Sequence, residues 1–318
     1  MSDNSANIRF KANGKLMLTG EYLVLAGAEA LALPLSRGHE LHIQKSIGRS
    51  ALAWKTFVEG EYWFDAYFSL PELAIANTND FPTAQNLRNI FIAAQELNPE
   101  FLNKGFHYEI SSRVNFNMSW GLGSSSSLLV TIAKWADVNP FDLHFKVSSG
   151  SGYDIAAAMS DRPVFYRLED NKPVYDSVDF TPHFRDNIFF GYLGKKRKSE
   201  EAVKDYLNNG SGKSGAIEDI TSIGRDIIHS NTLMDFVQLL KQHDQIISNT
   251  LHAKPIARTR FFDFKGYVKS LGAWGGDFAL FVTDYPRDYL MTYFRKKDIK
   301  TWFEYRDLVK SVKPGVNV

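Results

Sequence analysis

Residues 121–127, Gly-Leu-Gly-Ser-Ser-Ser-Ser, combine a flexible backbone with a row of hydroxyl groups. Glycines let the chain turn tightly and approach a ligand without hindrance from a Cβ atom. An apolar stretch that predicts a helix follows, so the serines fall where unpaired N–H groups and the helix dipole favour an anion. A turn with one capping serine is the alternative, but four serines exceed what a cap needs. The residues expected in a phosphate-binding loop are Gly121, Leu122, Gly123, Ser124, Ser125 and Ser126.

Two charged residues stand in other glycine-containing segments. Lys15 lies where a strand runs into a glycine turn, and it is either a solvated surface lysine or a charge held near phosphate. Asp154 follows a glycine-serine turn and precedes a small-residue helix. It is either a first-turn residue favoured by the helix dipole or a group that accepts a proton from a substrate hydroxyl. Residues 272–276, with three glycines, predict a tight hairpin or a backbone that lies against a ligand.

Four segments taken in order resemble the motifs of the GHMP kinases, a family that includes galactokinase, homoserine kinase, mevalonate kinase and phosphomevalonate kinase. They are Gly-Lys-Leu followed by Gly-Glu-Tyr-x-Val-Leu from residue 14, Gly-Leu-Gly-Ser-Ser from residue 121, Ser-Gly-Tyr-Asp from residue 151 and Gly-Ala-x-Gly-Gly-Asp from residue 272. The third looks like the motif of the bacterial subgroup named for its Gly-Tyr-Asp-Ile-Ala string. The Gly-Glu-Tyr string is closer to phosphomevalonate kinase than to mevalonate kinase.

The resemblance implies a fold and a set of cofactors. It implies an α+β chain with the two-domain GHMP kinase fold, in which a ribosomal-S5-domain-2-like N-terminal domain binds ATP and a ferredoxin-like C-terminal domain follows. The hydrophobic pattern starts afresh with an apolar strand near residue 186, so we expect the domains to span residues 1–185 and 186–318. ATP and Mg²⁺ are the implied cofactors, and a small-molecule acceptor is the implied substrate.

The resemblance also implies roles for individual residues. Lys15 would neutralise charge near the transferred phosphoryl group, and Asp154 would be the base. Ser125 matches the serine that binds Mg²⁺ in the family. These roles suit phosphoryl transfer, in which positioning and electrostatics dominate catalysis. The residues expected to contact the acceptor or shape its site are Glu21, Tyr22, Gly152, Tyr153, Gly272, Ala273, Gly275 and Gly276.

The sequence departs from the family pattern at three points. The family supplies a Mg²⁺-binding glutamate a short distance before the catalytic aspartate, whereas this chain has Leu143 there. Asp142 offers an oxygen ligand for Mg²⁺ in its place, and it also suits the N-cap of a short helix. Trp274 stands where the family prefers glycine, and Asn13 replaces the usual proline.

The composition is that of a globular protein without disulfides. Of 318 residues 44% are apolar, and the formal net charge of +1 gives no electrostatic footprint of nucleic-acid binding. The chain has no cysteine, and its start does not resemble a signal peptide. No apolar run is long enough to span a bilayer. We therefore expect a cytoplasmic enzyme, a monomer or homodimer, without nucleic-acid or membrane partners.

The predicted function is ATP-dependent phosphorylation of phosphomevalonate or, as second choice, of mevalonate. The alternatives are a kinase for a sugar or homoserine, a related decarboxylase that phosphorylates its substrate transiently, and a catalytically silent nucleotide-binding protein. The missing glutamate favours the silent alternative. The joint presence of Lys15, Ser125 and Asp154 favours an active kinase.

The elements that must position these residues follow from apolar periodicity and from turn residues. The expected strands are residues 8–18, 39–45, 106–113 and 187–193, a hairpin over residues 55–68, and two strands that flank residues 272–277. The expected helices are residues 83–97, 216–229 and 232–251, one that opens in the serine run, and one that begins near residue 199. A final helix and strand follow.

Overall fold

A computed structural model describes residues 6–194, 214–272 and 277–310 of the chain. Contacts within the chain divide it into two compact units. The first comprises the described parts of Met1–Gly14, Arg37–Met118 and Leu122–Met159, and the second those of Lys15–Ser36, Ser119–Gly121 and Ser160–Val318. Strands β1 (Ala6–Thr19) and β2 (Ala30–Ile47) pair with each other, and each contributes residues to both units.

The first unit is a layer of helices on a mostly antiparallel sheet. Its further elements are β3 (Ala51–Val58), β4 (Glu61–Ser69), β5 (Ala74–Thr78), α1 (Phe81–Leu97), β6 (Phe106–Val114), α2 (Ser124–Ala136), α3 (Pro140–Val147) and α4 (Tyr153–Met159). The strand order is β5-β4-β3-β6-β2, and β3 and β6 are parallel. Trp54 and Phe68 of the sheet contact Phe91 of α1 edge to face, with ring centroids 5.7 and 5.8 Å apart. These buried aromatic contacts fix α1 on the sheet.

The second unit contains a hairpin and a four-stranded sheet. Its further elements are β7 (Val164–Glu169), β8 (Lys172–Ser177), β9 (Ile188–Tyr192), α5 (Ser214–Ile228), α6 (Leu233–Leu251), β10 (Tyr267–Leu271), β11 (Phe278–Val282), α7 (Arg287–Lys296), β12 (Trp302–Glu304) and α8 (Tyr305–Leu308). β7 pairs with the N-terminal part of β2 and with β8. The other strands follow the order β10-β11-β9-β12, and all neighbours are antiparallel. With helices after β9 and after β11, this is the ferredoxin-like arrangement expected from the motifs.

Most of the expected elements are present, with β2 longer than predicted. The alternating pattern predicted a strand over residues 39–45, whereas β2 already begins at Ala30. Residues 30–35 are all buried, so this part of the strand has two covered faces and no alternation. The hairpin of β3 and β4 turns at Glu59 and Gly60, as predicted.

One predicted helix start and the predicted domain boundary are not tested by the structure. The expected helix start near residue 199 lies outside the described residues. The expected domain boundary between residues 185 and 186 remains a prediction, because units defined by contact need not coincide with stretches of sequence. No helix in the described parts of the chain is long and apolar enough to cross a membrane.

Candidate active site

Three segments that are distant in sequence meet at Gly121 in the second unit. Gly121 has φ +70°, and a Cβ atom built there would lie 1.9 Å from Oδ2 of Asp277. The ammonium group of Lys15 donates a hydrogen bond to the Gly121 carbonyl oxygen at 3.3 Å. The position therefore requires glycine for two reasons, the left-handed backbone and the carboxylate that fills the space of a side chain. The structure thus brings together residues of the first, second and fourth motifs.

Asp277 was not among the site residues predicted from sequence. It is the last residue of the Gly-Ala-x-Gly-Gly-Asp string, of which only the glycines and Ala273 were given a role. The side chain is half-buried, and its backbone carbonyl accepts from the Leu193 N–H at 2.8 Å. An acidic residue directly after a glycine-rich bend was the available signal, because such bends approach ligands or other backbones closely.

Helix α2 begins without a side-chain cap. Its N-cap is Gly123, at φ 90°, and no side chain accepts from the first-turn N–H groups. The hydroxyls of Ser126 and Ser127 donate to the Gly123 carbonyl oxygen at 3.1 and 2.8 Å, so they point back along the chain. Ser124 is half-buried and Ser125 is exposed. The alternative that a serine caps this helix is therefore wrong, and the helix end keeps the donors that suit an anion.

The residues of the expected phosphate loop differ in what they can offer a ligand. The Leu122 side chain is fully buried and anchors the loop, so only its backbone can face a phosphate. Ser126 is 1% exposed with its hydroxyl engaged, and it too has only a backbone N–H to offer. The uncapped first turn of α2 and the exposed hydroxyl of Ser125 fit nucleotide phosphates and Mg²⁺. Mg²⁺ needs only one or two protein ligands when phosphates supply others.

Sequence reasoning missed a buried histidine in the first unit. His39 of β2 has its Nε2 atom 2.7 Å from the Ser112 hydroxyl and is 5% exposed. Burial lowers its pKa to about 4. The imidazole is therefore neutral at neutral pH. Its place in the buried alternation of β2 was the only sequence signal.

The third motif forms the start of helix α4 in the first unit. Gly152 has φ +88°, and its carbonyl oxygen accepts from the N–H groups of Ile155 and Ala156 at 3.0 and 3.3 Å. Tyr153 and Asp154 are both half-buried, and Asp154 lies in the first turn of α4. The location is compatible with both readings of Asp154, so its role as base remains a prediction.

Asp142 is exposed in the first turn of α3. Asn139 is the N-cap of this helix, and its side chain accepts from the Phe141 N–H at 2.8 Å. The alternative that Asp142 is the N-cap is therefore wrong. Within residues 6–194, 214–272 and 277–310, no group of three or more acidic or histidine side chains is arranged to hold a metal. The use of Asp142 as a Mg²⁺ ligand remains a prediction.

Two residues expected at the acceptor are directed into the protein instead of toward an open surface. Glu21 is 2% exposed, and its Oε2 atom lies 2.9 Å from Nε2 of His243. Tyr22 is 8% exposed and packs in an apolar cluster with Ile220 of α5 and Ile247 of α6. Both side chains are therefore part of the packed interior of the second unit.

The fourth motif is described only at its two ends. Gly272 is half-buried with φ +70°, and a Cβ atom there would meet no other atom within 4 Å. The backbone is therefore in the left-handed region that glycine favours. The predicted roles of Ala273, Gly275 and Gly276, and the place of Trp274, lie outside the described residues.

Known structures resemble this fold over nearly the whole chain. No protein-family model matches the chain, and no curated protein matches it in sequence. The mevalonate kinase of Methanococcus jannaschii has a TM-score of 0.71 at 15% identity, with coverage of 97% of this chain and 99% of that one. For L. major mevalonate kinase, solved with R-mevalonate, the values are 0.67, 17%, 97% and 98%. For Streptococcus pneumoniae phosphomevalonate kinase, solved with phosphomevalonate and AMPPNP, they are 0.68, 16%, 93% and 99%. The chain therefore has the α+β fold of the GHMP kinases.

Proposed function

We propose that the chain is an ATP-dependent kinase of the GHMP type that phosphorylates a small molecule, with phosphomevalonate as first choice and mevalonate as second. The observation that supports this most directly is the meeting of three motifs at Gly121, where Lys15 donates to the carbonyl and the Asp277 carboxylate fills the space of a side chain. A plain turn before a helix requires neither contact. The likeness to mevalonate and phosphomevalonate kinases supports the choice of acceptor.

The phosphate loop and the start of α2 bind the nucleotide. ATP with Mg²⁺ supplies the phosphoryl group that is transferred. Backbone N–H groups of the first turn hold the phosphates, because they have no partners within the helix and lie at its positive end. Lys15 neutralises charge that builds up on the transferred group, and Ser125 holds Mg²⁺ through its exposed hydroxyl.

Asp154 acts on the acceptor, and its task depends on which acceptor is bound. With an alcohol such as mevalonate, the carboxylate takes the proton of the attacking hydroxyl. With phosphomevalonate, the attacking phosphate oxygen is already ionised at neutral pH. Asp154 then orients the acceptor and takes no proton. Asn at this position keeps the size of the side chain but removes its charge and its basicity.

The test is an ADP-release assay with mevalonate, phosphomevalonate, diphosphomevalonate, homoserine and galactose as acceptors. We expect turnover of phosphomevalonate or mevalonate, and a loss of at least about a hundredfold in kcat for Lys15→Met with either acceptor. For Asp154→Asn we expect a loss of at least about a hundredfold with mevalonate, whose hydroxyl must lose a proton, and a smaller loss with phosphomevalonate. Turnover of homoserine or galactose would refute the proposed acceptor and keep the kinase. Release of CO₂ from diphosphomevalonate would identify a decarboxylase. No turnover with any acceptor, while ATP still binds, would favour the silent alternative.

The Mg²⁺ ligands are tested by the metal dependence of the same assay. If Asp142 is a ligand beside Ser125, Asp142→Asn raises the Mg²⁺ concentration needed for half-maximal activity. Asp137→Asn is a matched control, because Asp137 is the C-cap of α2 and has no proposed role in metal binding. An unchanged Mg²⁺ requirement for Asp142→Asn would exclude Asp142 as a ligand.

The proposed enzyme acts on a small molecule and needs no nucleic acid or membrane. The near-balanced charge of the chain supports this part of the proposal. Location in the cytoplasm and assembly as a monomer or homodimer are proposed with it. Sedimentation of the purified chain distinguishes the two assembly states.

A further inference from the structure

Four ionisable side chains form a buried cluster in the second unit, and the proposed mechanism gives this cluster no task. Glu21 comes from the turn after β1, His243 and Asp244 come from α6, and Lys269 comes from β10. None of them is more than 2% exposed. The Lys269 ammonium donates to Glu21 Oε1, and His243 Nε2 lies 2.9 Å from Glu21 Oε2. Lys269 Nζ is also 3.7 Å from Asp244 Oδ1.

Both carboxylates of the cluster lie against the Lys269 ammonium. Buried ions are costly unless they are paired and hydrogen-bonded. The His243 ring lies beside both carboxylates: its Nε2 atom also accepts from the Gly20 N–H at 3.2 Å, and its Nδ1 atom lies 3.5 Å from Asp244 Oδ1. Burial acts to raise the pKa of Glu21, but attraction to Lys269 and His243 and their hydrogen bonds outweigh burial and hold the pKa below its ordinary value.

The backbone beside Glu21 is strained. Tyr22 has φ 62° and ψ −46°, and the Leu23 N–H donates to the Glu21 carbonyl oxygen at 2.7 Å. This is a γ-turn of the rare positive-φ type. Gly20, just before it, has φ +93° and would place a Cβ atom 2.7 Å from Cα of Ala30. Such a turn persists only where the surrounding structure holds it in place.

The contacts of the turn identify what holds it. The Tyr22 ring packs between α5 and α6 in the apolar cluster described above, and the Glu21 carboxylate binds the ammonium of β10 and the imidazole of α6. Each carboxylate oxygen of Glu21 thus lies against a nitrogen atom of another element of the unit. The tyrosine hydroxyl of Tyr267 closes the cluster by donating to Asp244 Oδ2 at 2.7 Å.

We infer that Glu21 is a positioning residue of the kinase and does not contact the acceptor, an inference that rests on the proposed function. Its ion pair with Lys269 and its contact with His243 hold the strained turn after β1. They thereby fix β1, whose Lys15 contacts Gly121, and β10, which ends directly before Gly272.

The test combines substitutions of Lys269 and Glu21. A positioning role for Glu21 and direct contact of Glu21 with the acceptor predict opposite effects of Glu21→Gln on the kcat of Lys269→Met. Lys269→Met removes the ammonium that lies against both buried carboxylates, so we expect kcat to fall at least about tenfold and the unfolding temperature to drop. Glu21→Gln in that background removes one of the two carboxylates and so relieves part of the uncompensated charge. We therefore expect the double variant to have a higher kcat and a higher unfolding temperature than Lys269→Met alone, with both KM values within about twofold of wild type.

Direct contact between Glu21 and the acceptor predicts the reverse. The double variant would then be less active than Lys269→Met, and its KM for the acceptor would rise, which would overturn the inference. Glu29→Gln is the matched control, because Glu29 is 4% exposed and is paired with Arg167 and Arg225 in the same unit. We expect it to lower the unfolding temperature while kcat stays unchanged.

Failure of the proposed function gives a different result. A wild-type chain that turns over none of the acceptors refutes the kinase assignment, and the catalytic part of this inference with it. Whether Glu21 holds the turn after β1 is then judged from unfolding temperatures and from amide hydrogen exchange over residues 20–25, which need no turnover. Faster exchange and a lower unfolding temperature in the double variant than in Lys269→Met would refute this structural part of the inference as well.

Discussion

Gly121 is the residue at which the candidate site has the least freedom. A methyl group at this position would overlap the Asp277 carboxylate, so the loop or the carboxylate must move. The backbone there also has φ +70°, which a residue with a Cβ atom adopts only at a cost in energy. We expect Gly121→Ala to weaken Mg²⁺-ATP binding at least about tenfold, measured by calorimetric titration. Gly60→Ala is the matched control, since Gly60 has φ +93° in a hairpin turn and no atom lies within 4 Å of its Cβ position.

The control separates backbone strain from the contact with Asp277. Gly60→Ala should cost about 1 kcal/mol of stability through the positive φ alone and leave nucleotide affinity unchanged. If Gly121→Ala binds Mg²⁺-ATP as wild type does, the loop does not approach the phosphates, and the nucleotide site lies elsewhere. Urea unfolding of both variants shows whether their strain is similar.

At the scale of residues, the sequence identifies glycines in tight turns more reliably than it identifies the distant residues that contact the site. Gly121, Gly123 and Gly152, which were expected in tight turns, all have positive φ. Asp277 was overlooked, and Glu21 was expected at the acceptor although the structure buries it. A glycine is recognised from its own neighbours in sequence, whereas a partner is set by which distant strand or helix comes to lie beside it.

Helix α2 separates two kinds of serine within one turn. Ser127 is fully buried and donates to the carbonyl oxygens of Gly123 and Ser124, whereas Ser125 is exposed. We expect Ser125→Ala to lower kcat at least about tenfold without loss of stability, because the proposed Mg²⁺ ligand is removed. We expect Ser127→Ala to cost about 1 kcal/mol of stability and to change kcat little, because a buried hydrogen bond is lost.

Urea unfolding and the ADP-release assay measure the two effects separately. The expected outcome is a crossed pattern, in which each substitution affects one measurement. Ser125→Ala with normal kcat and normal Mg²⁺ dependence would remove this serine from the proposed metal site. A fall in kcat for Ser127→Ala equal to that for Ser125→Ala would mean that the helix start as a whole, not one hydroxyl, is required.

The elements themselves were largely predictable where one face is buried and the other is exposed. Helix α6 was predicted over residues 232–251 and spans Leu233–Leu251, because its apolar stripe and the Thr232 cap are both local signals. The hairpin of β7 and β8 was not predicted, although Asp170 and Asn171 at its turn both have positive φ. Asp and Asn tolerate that conformation better than most residues. Without a glycine, the turn signal is weaker.

The first part of β2 was missed for a different physical reason. Residues 30–35 are covered on both faces, and a strand of this kind is a continuous apolar run that resembles a buried helix or a core loop. Alternation appears only farther along the strand. Coverage of a second face is a property of the whole molecule, so a single segment does not reveal it.

At the scale of the whole molecule, several ionisable groups are buried, and their titration couples folding to pH. His39 is one of them, with a pKa lowered to about 4 chiefly by burial. The unfolded chain has the ordinary histidine pKa, so between that value and pH 4 the unfolded state binds one proton that the folded state does not. Stability from His39 is therefore complete at neutral pH and is lost as the pH falls through this interval.

We expect acidification from pH 6.5 to pH 4 to reduce the free energy of unfolding by up to about 3 kcal/mol through His39 alone. Urea unfolding at a series of pH values measures the slope for wild type and for His39→Gln, whose neutral amide can keep a hydrogen bond to Ser112. The variant should lose less stability than wild type between pH 6.5 and 5, where few carboxylates titrate. Equal slopes in the two chains would contradict a neutral, buried His39, whatever their absolute stabilities. A smaller slope for the variant would show that His39 takes up a proton on unfolding in this interval.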